Sequence, residues 1–316
     1  MKKLNEKKII ELMNAKRKDF IFDDVEIFQL GNETFAVSVD TLVESTDIPT
    51  GSKLSDISRK SVISCVSDFA AKGIIPKFCI ISVTLPSKIN QKQVEEMSKG
   101  FSNACKEFKI QLLGGDTNRG TEISIHVVLF GKVKNHVKRN SCKIGDIICT
   151  TGPFGYTGTA LSIILKNKKS SKEFAKKAKK MFFLPNPPLD FGIKTANLIT
   201  ASMDSSDGLS SCLIEMSNQS KKKFVINNIP VNSDVIEFSK KNRVDLLELV
   251  FNAGEEFEIV FTVNPKNLKK IHSIGKSFGI KIIEIGHVMK GKGVFFGDTS
   301  KWFGLRYKGY DHFRTI

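Results

Sequence analysis

The sequence predicts a mixed α/β chain of the α+β type, folded as two α+β halves of similar size, 1–140 and 141–316. Three observations carry that expectation. At 316 residues the chain is long for a single hydrophobic core. Short β-forming runs alternate with longer segments of helical periodicity throughout. Finally, the polar stretch 134–146, with Lys134 to Lys143 and Gly145-Asp146, separates a strand-rich first half from a second half that alternates strand and helix.

In chain order, Leu4, Ile9, Ile10, Leu12 and Met13 predict a short amphipathic helix over 3–15. Strands at 25–30 and 34–39 follow, joined by the turn Gly31-Asn32-Glu33. Residues 56–72 predict a helix with Ile57, Val62, Val66 and Phe69 on its apolar face, stopped by Gly73 and Pro76. A strand at 78–85 and a helix at 90–108 come next. Strands at 110–113 and 123–133 flank a turn at Gly114-Gly115-Asp116-Thr117. The second half reads as strand 147–151, helices 157–166, 172–182, 189–199 and 207–217, strands 223–227 and 257–263, helix 265–278, and strands 281–288 and 293–296. No internal repeat is found.

Hydrophobic and charged fractions of 41% and 26% are ordinary for a globular protein. No apolar run approaches the ~18 residues of a membrane span, and the basic amino terminus lacks the apolar segment of a signal peptide, so a cytoplasmic location and no membrane partner are expected. The cysteines Cys65, Cys79, Cys105, Cys142, Cys149 and Cys212 form no C-x-x-C pair, against structural zinc or a disulfide framework. The net charge of +16 fits nucleic acid or small anionic substrates alike. Its densest run, Lys166 to Lys180, is punctuated by Phe174, Ala175 and Ala178 at helical spacing, as in a lysine-coated amphipathic helix. With no zinc-finger spacing and no aromatic RNA-binding signature, a nucleic-acid partner is not expected.

Acidic stretches carry the chemistry. Ala36 to Val43 is an apolar β-forming run that delivers Asp40, flanked by Thr41 and, two residues back, Ser38. Leu112 to Thr117 carries Asp116, Met203 to Gly208 carries Asp204 and Asp207, and Gly254 to Glu258 carries three glutamates. Carboxylates beside glycine and hydroxyl residues suit a hard divalent cation and phosphate, although Asp204 and Asp207, read at the entrance to helix 207–217, also suit a helix cap. Asp68 shares a narrow stripe with Ser61 and Ser64, spaced to line a site or to leave Asp68 paired with Lys72 one turn on. Gly275-Lys276-Ser277 ends like a phosphate-binding loop, but Lys270 stands where that motif needs glycine. Thr151 to Gly158, between strand and helix, lacks the lysine altogether.

Taken in order, these stretches resemble the thiamine-monophosphate kinase family, within the superfamily of aminoimidazole ribonucleotide and selenophosphate synthetases. The resemblance runs from Asp23-Asp24 through Ser38 to Val43, Val66 to Gly73, Leu113 to Gly120, Gly145-Asp146, Met203 to Leu209 and Gly254 to Thr262. It ends at Tyr307-Lys308-Gly309-Tyr310-Asp311-His312-Phe313. The resemblance implies an amino-terminal domain that binds ATP and metal and pairs its sheet with a second subunit into a dimeric barrel, and a second domain that completes the cleft. It implies direct in-line transfer of the ATP γ-phosphoryl group to thiamine monophosphate, with several Mg2+ ions and no protein nucleophile.

Residue by residue, the resemblance assigns Asp24, Asp40, Asp68, Asp116 and Asp204 as metal-holding carboxylates, Ser38 as a further ligand and Asp207 as ligand to an additional magnesium. Gly115, Asp116, Arg139 and Ser206 match ATP-contacting positions, and Glu255 and Tyr310 match contacts to thiamine monophosphate. Asp47-Ile48 stands where the family has His-Phe, so Asp47 takes the place of a substrate contact. Val39 replaces a threonine and keeps only a backbone contact to metal. Glu256 replaces an aspartate, and Arg306-Tyr307 a stretch ending in tryptophan. The alternatives are a related ATP-dependent synthetase, disfavoured because the first cysteine, Cys65, lies inside a helix, and a basic nucleic-acid-binding protein.

Overall fold

The computed structural model describes residues 6–13, 21–49, 51–297 and 302–304. The closing stretch 307–313, with Tyr310, lies outside the described residues.

Two sheets form the frame. The first has the order β1 (Glu26–Leu30), β2 (Glu33–Val43), β5 (Ser124–Lys132), β3 (Phe78–Pro86), β4 (Gln111–Gly120). All its pairs are antiparallel except β3 with β4. The second has the order β12 (Trp302–Gly304), β11 (Gly293–Gly297), β8 (Lys223–Ile226), β10 (Ile283–Met289), β6 (Ile147–Thr150), β9 (Ile259–Val263), β7 (Ile199–Asp204).

The helix α3 (Leu54–Lys72) joins the two. Most of its residues are buried, because one side packs on β2 and β5 and the other on α7 (Leu189–Thr195) and β7. Val62, Val66 and Phe69 therefore share one core with Val127, Phe191 and Phe261, drawn from both sheets. Gly73 ends the helix in a left-handed conformation that leaves its N–H on Phe69 and Ala70 carbonyls, as the sequence predicts. α4 (Gln91–Glu107) covers the same face of the first sheet and starts at a capping box made by Asn90 and Gln93.

Besides a short helix at Glu44–Asp47 and the strand Trp302–Gly304, neither expected, the structure departs from the expected elements in four places. Gly114 to Thr117 is not a turn: it lies inside β4, because the chain continues past the glycines to pair in parallel with β3. The expected helix 189–199 stops at Thr195, and Ile199–Asp204 is the edge strand β7, paired with β9. α9 (Ser233–Asn242) and a π-helical turn over Glu248–Asn252 were not expected. The helix after Asp207 is α8 (Leu209–Ser220), whose cap is Gly208 with φ 99°, so neither Asp204 nor Asp207 serves as the cap.

Among the described residues, nothing covers the face of the first sheet turned away from α3. Phe78, Ile80 and Val39 are exposed there, and Leu112 and Leu113 are exposed on the edge strand β4. Among the described residues, no helix is long and apolar enough to cross a membrane.

Candidate active site

Three acids converge between the two sheets. Asp24 lies just before β1, Asp68 on α3, and Asp204 is the last residue of β7. One carboxylate oxygen of each lies within 4.8 Å of the others. Ser67, beside Asp68 on the helix, donates to Asp204 Oδ2 at 2.9 Å, and Ser206 donates to Oδ1 at 3.3 Å. Helix α3 thus both supplies one acid and orients another.

Such crowding of buried acids is costly without cations. Burial, followed by the charges of Asp24 and Asp207, pushes Asp204 up to about 8, against the pull of Ser67 and Arg139. Burial, then Asp204, Asp24 and Asp40, likewise raises Asp68 well above the ordinary carboxylate range. On the other flank, Lys72 Nζ lies 2.5 Å from Asp23 Oδ1 and 2.7 Å from Asp24 Oδ2, and Arg139 Nη2 donates to Asp24 Oδ1. Burial opposes ionisation of Asp23, but the charges of Lys72 and Arg139 leave it below its usual value. Lys72 is fully buried and turned to these acids and to the Ser202 carbonyl, so the exposed Asp68–Lys72 pair considered from sequence does not form.

Strand β2 adds Ser38 and Asp40. Ser38 is buried and its Oγ has no hydrogen-bond partner. Asp40 accepts from the N–H of Thr41 at 2.7 Å. An orphaned hydroxyl beside three convergent carboxylates is an all-oxygen donor set, the kind magnesium takes. The residues present therefore fit that ion.

The register separates two acids that the sequence groups together. Asp40, Val127, Ile81 and Gly115 form one row across β2, β5, β3 and β4, and this row faces α3. Thr41, His126, Ser82 and Asp116 form the next row, on the uncovered face. Asp116 is exposed, and three strand spacings, roughly 14 Å, lie between its strand and that of Asp40. Within one chain, Asp116 does not join the cluster. Val39, 67% exposed, also points away from it.

Near the opposite rim, Glu255 donates its N–H to the Ser206 carbonyl at 2.6 Å, and its carboxylate pairs with Lys60 at 2.7 Å. Lys60 is buried, with its ammonium 3.8 Å from the centre of the Phe182 ring. Glu255 and Phe257 both hold positive φ, 64° and 53°, a strained conformation for such residues. Between them, Glu256 accepts from Gly155 N, Thr157 N and Thr157 Oγ1 at 2.7–3.1 Å. It thereby caps α5 (Tyr156–Lys166) from a distance, and burial pushes it up to about 7. Asp47 accepts from Val43 N at 2.7 Å and lines a small recess with Ile48, Ile57, Lys60 and Phe182. A roomier cavity, about 450 Å3, lies elsewhere, between α4 and the β3–β4 edge, and its lining holds no carboxylate.

Sequence reasoning did not assign Asp23, Lys60 or Ser67 to the site, and for Lys72 it offered only Asp68 as a possible partner. The available signal for Lys72 was a lysine closing the helical run 61–71, in which Asp68 is the one charged residue.

The chain matches the family model for the amino-terminal domain of AIR synthase related proteins over residues 22–133. Residues 143–298 match the model for the carboxy-terminal domain. It is 51% identical to the thiamine-monophosphate kinase of Nitrosopumilus maritimus, over 99% of this chain and 100% of the relative. It is 32% identical to that of Pyrococcus horikoshii, over 99% and 98%. A solved structure described as AaThiL complexed with AMPPCP and TMP superposes with a TM-score of 0.87, at 25% identity, over 98% of this chain and 97% of that one.

Proposed function

This chain belongs to the AIR synthase related family and, within it, to the thiamine-monophosphate kinases, and from that premise we propose how its residues carry the reaction. The enzyme transfers the γ-phosphoryl group of ATP to the phosphate of thiamine monophosphate, yielding thiamine diphosphate and ADP. The transfer is direct and in line: the acceptor phosphate oxygen forms the new P–O bond as the bond to ADP breaks.

The observation that carries this reading is the approach of Asp24, Asp68 and Asp204 to within 4.8 Å beside the unpartnered Ser38 hydroxyl. Phosphoryl transfer asks for positioning and charge neutralisation more than for covalent chemistry. Asp24, Ser38, Asp40, Asp68 and Asp204, with Asp207 and the Val39 backbone, are the residues that would hold magnesium, which would supply there the positive charge that offsets repulsion between the two anionic substrates. Arg139, Ser206, Gly115 and Asp116 serve ATP. Glu255, Asp47 and Tyr310 serve thiamine monophosphate. In this reading the chain divides at about residue 140, the first domain binding ATP and metal and the second completing the cleft.

We take the working form to be a homodimer. The uncovered face carrying Val39, Phe78 and Ile80 is the kind of apolar sheet surface that a second copy would cover. Pairing through this face and the β4 edge also gives Asp116, stranded in one chain, a second copy's site to serve.

Incubation with ATP, magnesium and thiamine monophosphate should give thiamine diphosphate and ADP in equal amounts. No product at any magnesium concentration would refute the assignment.

A further inference from the structure

Lys72 is a fully buried ammonium with an oxygen for each of its three donors. Asp23 Oδ1 lies at 2.5 Å, Asp24 Oδ2 at 2.7 Å and the Ser202 carbonyl at 2.8 Å. Its own carbonyl accepts from Val137 N at 3.1 Å, and Ser202 Oγ donates to the neighbouring Ala71 carbonyl. Four segments meet on this residue: the approach to β1, the end of α3, the connection leading to Arg139, and β7 of the second sheet.

A structural tie of this kind could be made by any hydrogen-bonding group. The distribution of charge argues for more. Asp24 belongs at once to the Lys72 clamp and to the three-acid cluster. On the Asp23–Asp24 side, two acids face two fixed cations, Lys72 and Arg139. On the Asp68–Asp204 side, the two carboxylates lie within 4.8 Å of each other and of Asp24, and among the described residues neither forms an ion pair with an ammonium or guanidinium. Half of the acidic nest is neutralised from within the chain and the other half is not.

We propose that Lys72 is a tethered cation: it fixes Asp24 at the border of the magnesium cage and supplies there the neutralisation that a further divalent ion would otherwise provide. This rests on the reading of the cluster as a magnesium site. Lys72 is a positioning residue and touches neither substrate. Its consequence is a limit on how many ions the free enzyme takes up, since one edge of the nest is already satisfied.

The test uses the full chain and magnesium chloride alone as the probe. Thermal unfolding is followed at pH 8 in chelator and then across a magnesium titration, for the native protein, Lys72→Met, Lys72→Gln and Lys72→Arg. In chelator, Lys72→Met and Lys72→Gln should melt well below the native chain. Their magnesium-induced rise in melting temperature should be at least twice the native rise, with its midpoint at lower magnesium, because an uncompensated acidic edge holds a divalent ion more strongly. Lys72→Arg should keep the native magnesium response, and kcat should fall tenfold or more in the neutral variants alone. If Lys72→Met does not fold, Lys72→Gln, which retains a donor for Ser202, carries the same expectation. Equal magnesium shifts in native and neutral variants, whatever their melting temperatures in chelator, would overturn the proposal and leave Lys72 a structural tie. Absence of any magnesium shift in the native chain would instead overturn the magnesium reading, and this inference with it.

Discussion

Replacing Asp204 by asparagine should make the metal-free protein more stable while removing its activity. Asp204 is 2% exposed, and its carboxyl is moved from an ordinary 3.8 to about 8 by burial and then by Asp24. A folded-state value above the unfolded one means that the folded chain holds the proton more tightly. The penalty is therefore absent below about pH 4, grows as pH rises, and is complete above about pH 8. At about 1.4 kcal/mol per pH unit, that span corresponds to about 5–6 kcal/mol. Asparagine removes the charge but brings an amide with no evident acceptor, at about 1–2 kcal/mol. The net gain is then about 4 kcal/mol, or roughly 5–10 °C in melting temperature for a chain of this size. The assay is thermal unfolding of both proteins at pH 8.5 in chelator, repeated at pH 5 and with saturating magnesium. The variant's advantage should vanish at pH 5, where the native carboxyl is protonated, and reverse with magnesium, which only the native cage holds fully. Equal melting temperatures at pH 8.5 in chelator, or native activity in the variant, would refute the reasoning.

Asp40→Asn and Asp116→Asn should each abolish product formation without altering the melting temperature. If each site takes Asp40 from one copy and Asp116 from the other, mixing the two inactive variants after dissociation should restore about a quarter of native activity, since half the dimers are mixed and each has one intact site. A mixture as inactive as its parents would place both acids in the same chain's site. Ile80→Glu, on the uncovered face of the first sheet, should give a species of one-chain mass on sedimentation; an unchanged dimer would move the interface elsewhere. Gly192→Ala should lower stability by about 2–3 kcal/mol, because a Cβ there would lie 1.9 Å from the Ala70 carbonyl, where α7 crosses α3. A melting temperature equal to native would show that this seam can open without cost.

Much of the fold was legible along the chain, because strands and helices write their periods into local sequence. α3, β3 and α4 appear close to their expected limits. What was misread depends on neighbours distant in sequence. Gly114-Gly115-Asp116 looks like a turn until β3 supplies a parallel partner. The apparent helix 189–199 runs to Ile199, and residues 200–204 suggest no element, until β9 pairs with Ile199–Asp204.

The chemistry divides in the same way. The sequence by itself determined which residues are available: carboxylates set among glycines and hydroxyls, in an order that matches one kinase family. It also argued against a structural zinc site and a disulfide framework, since the cysteines form no C-x-x-C pair, and against a glycine-lysine phosphate loop, since Lys270 stands where that motif needs glycine. Only the tertiary structure decided which acids share a charge environment. Asp24, Asp68 and Asp204 come from a loop, a helix and a strand, and they meet because α3 is packed between both sheets. Asp116, equally prominent in sequence, falls one row along the register and onto the opposite face. Lys72, which local spacing would pair with Asp68, turns inward to Asp23 and Asp24, because a buried ammonium takes the oxygens that folding brings to it.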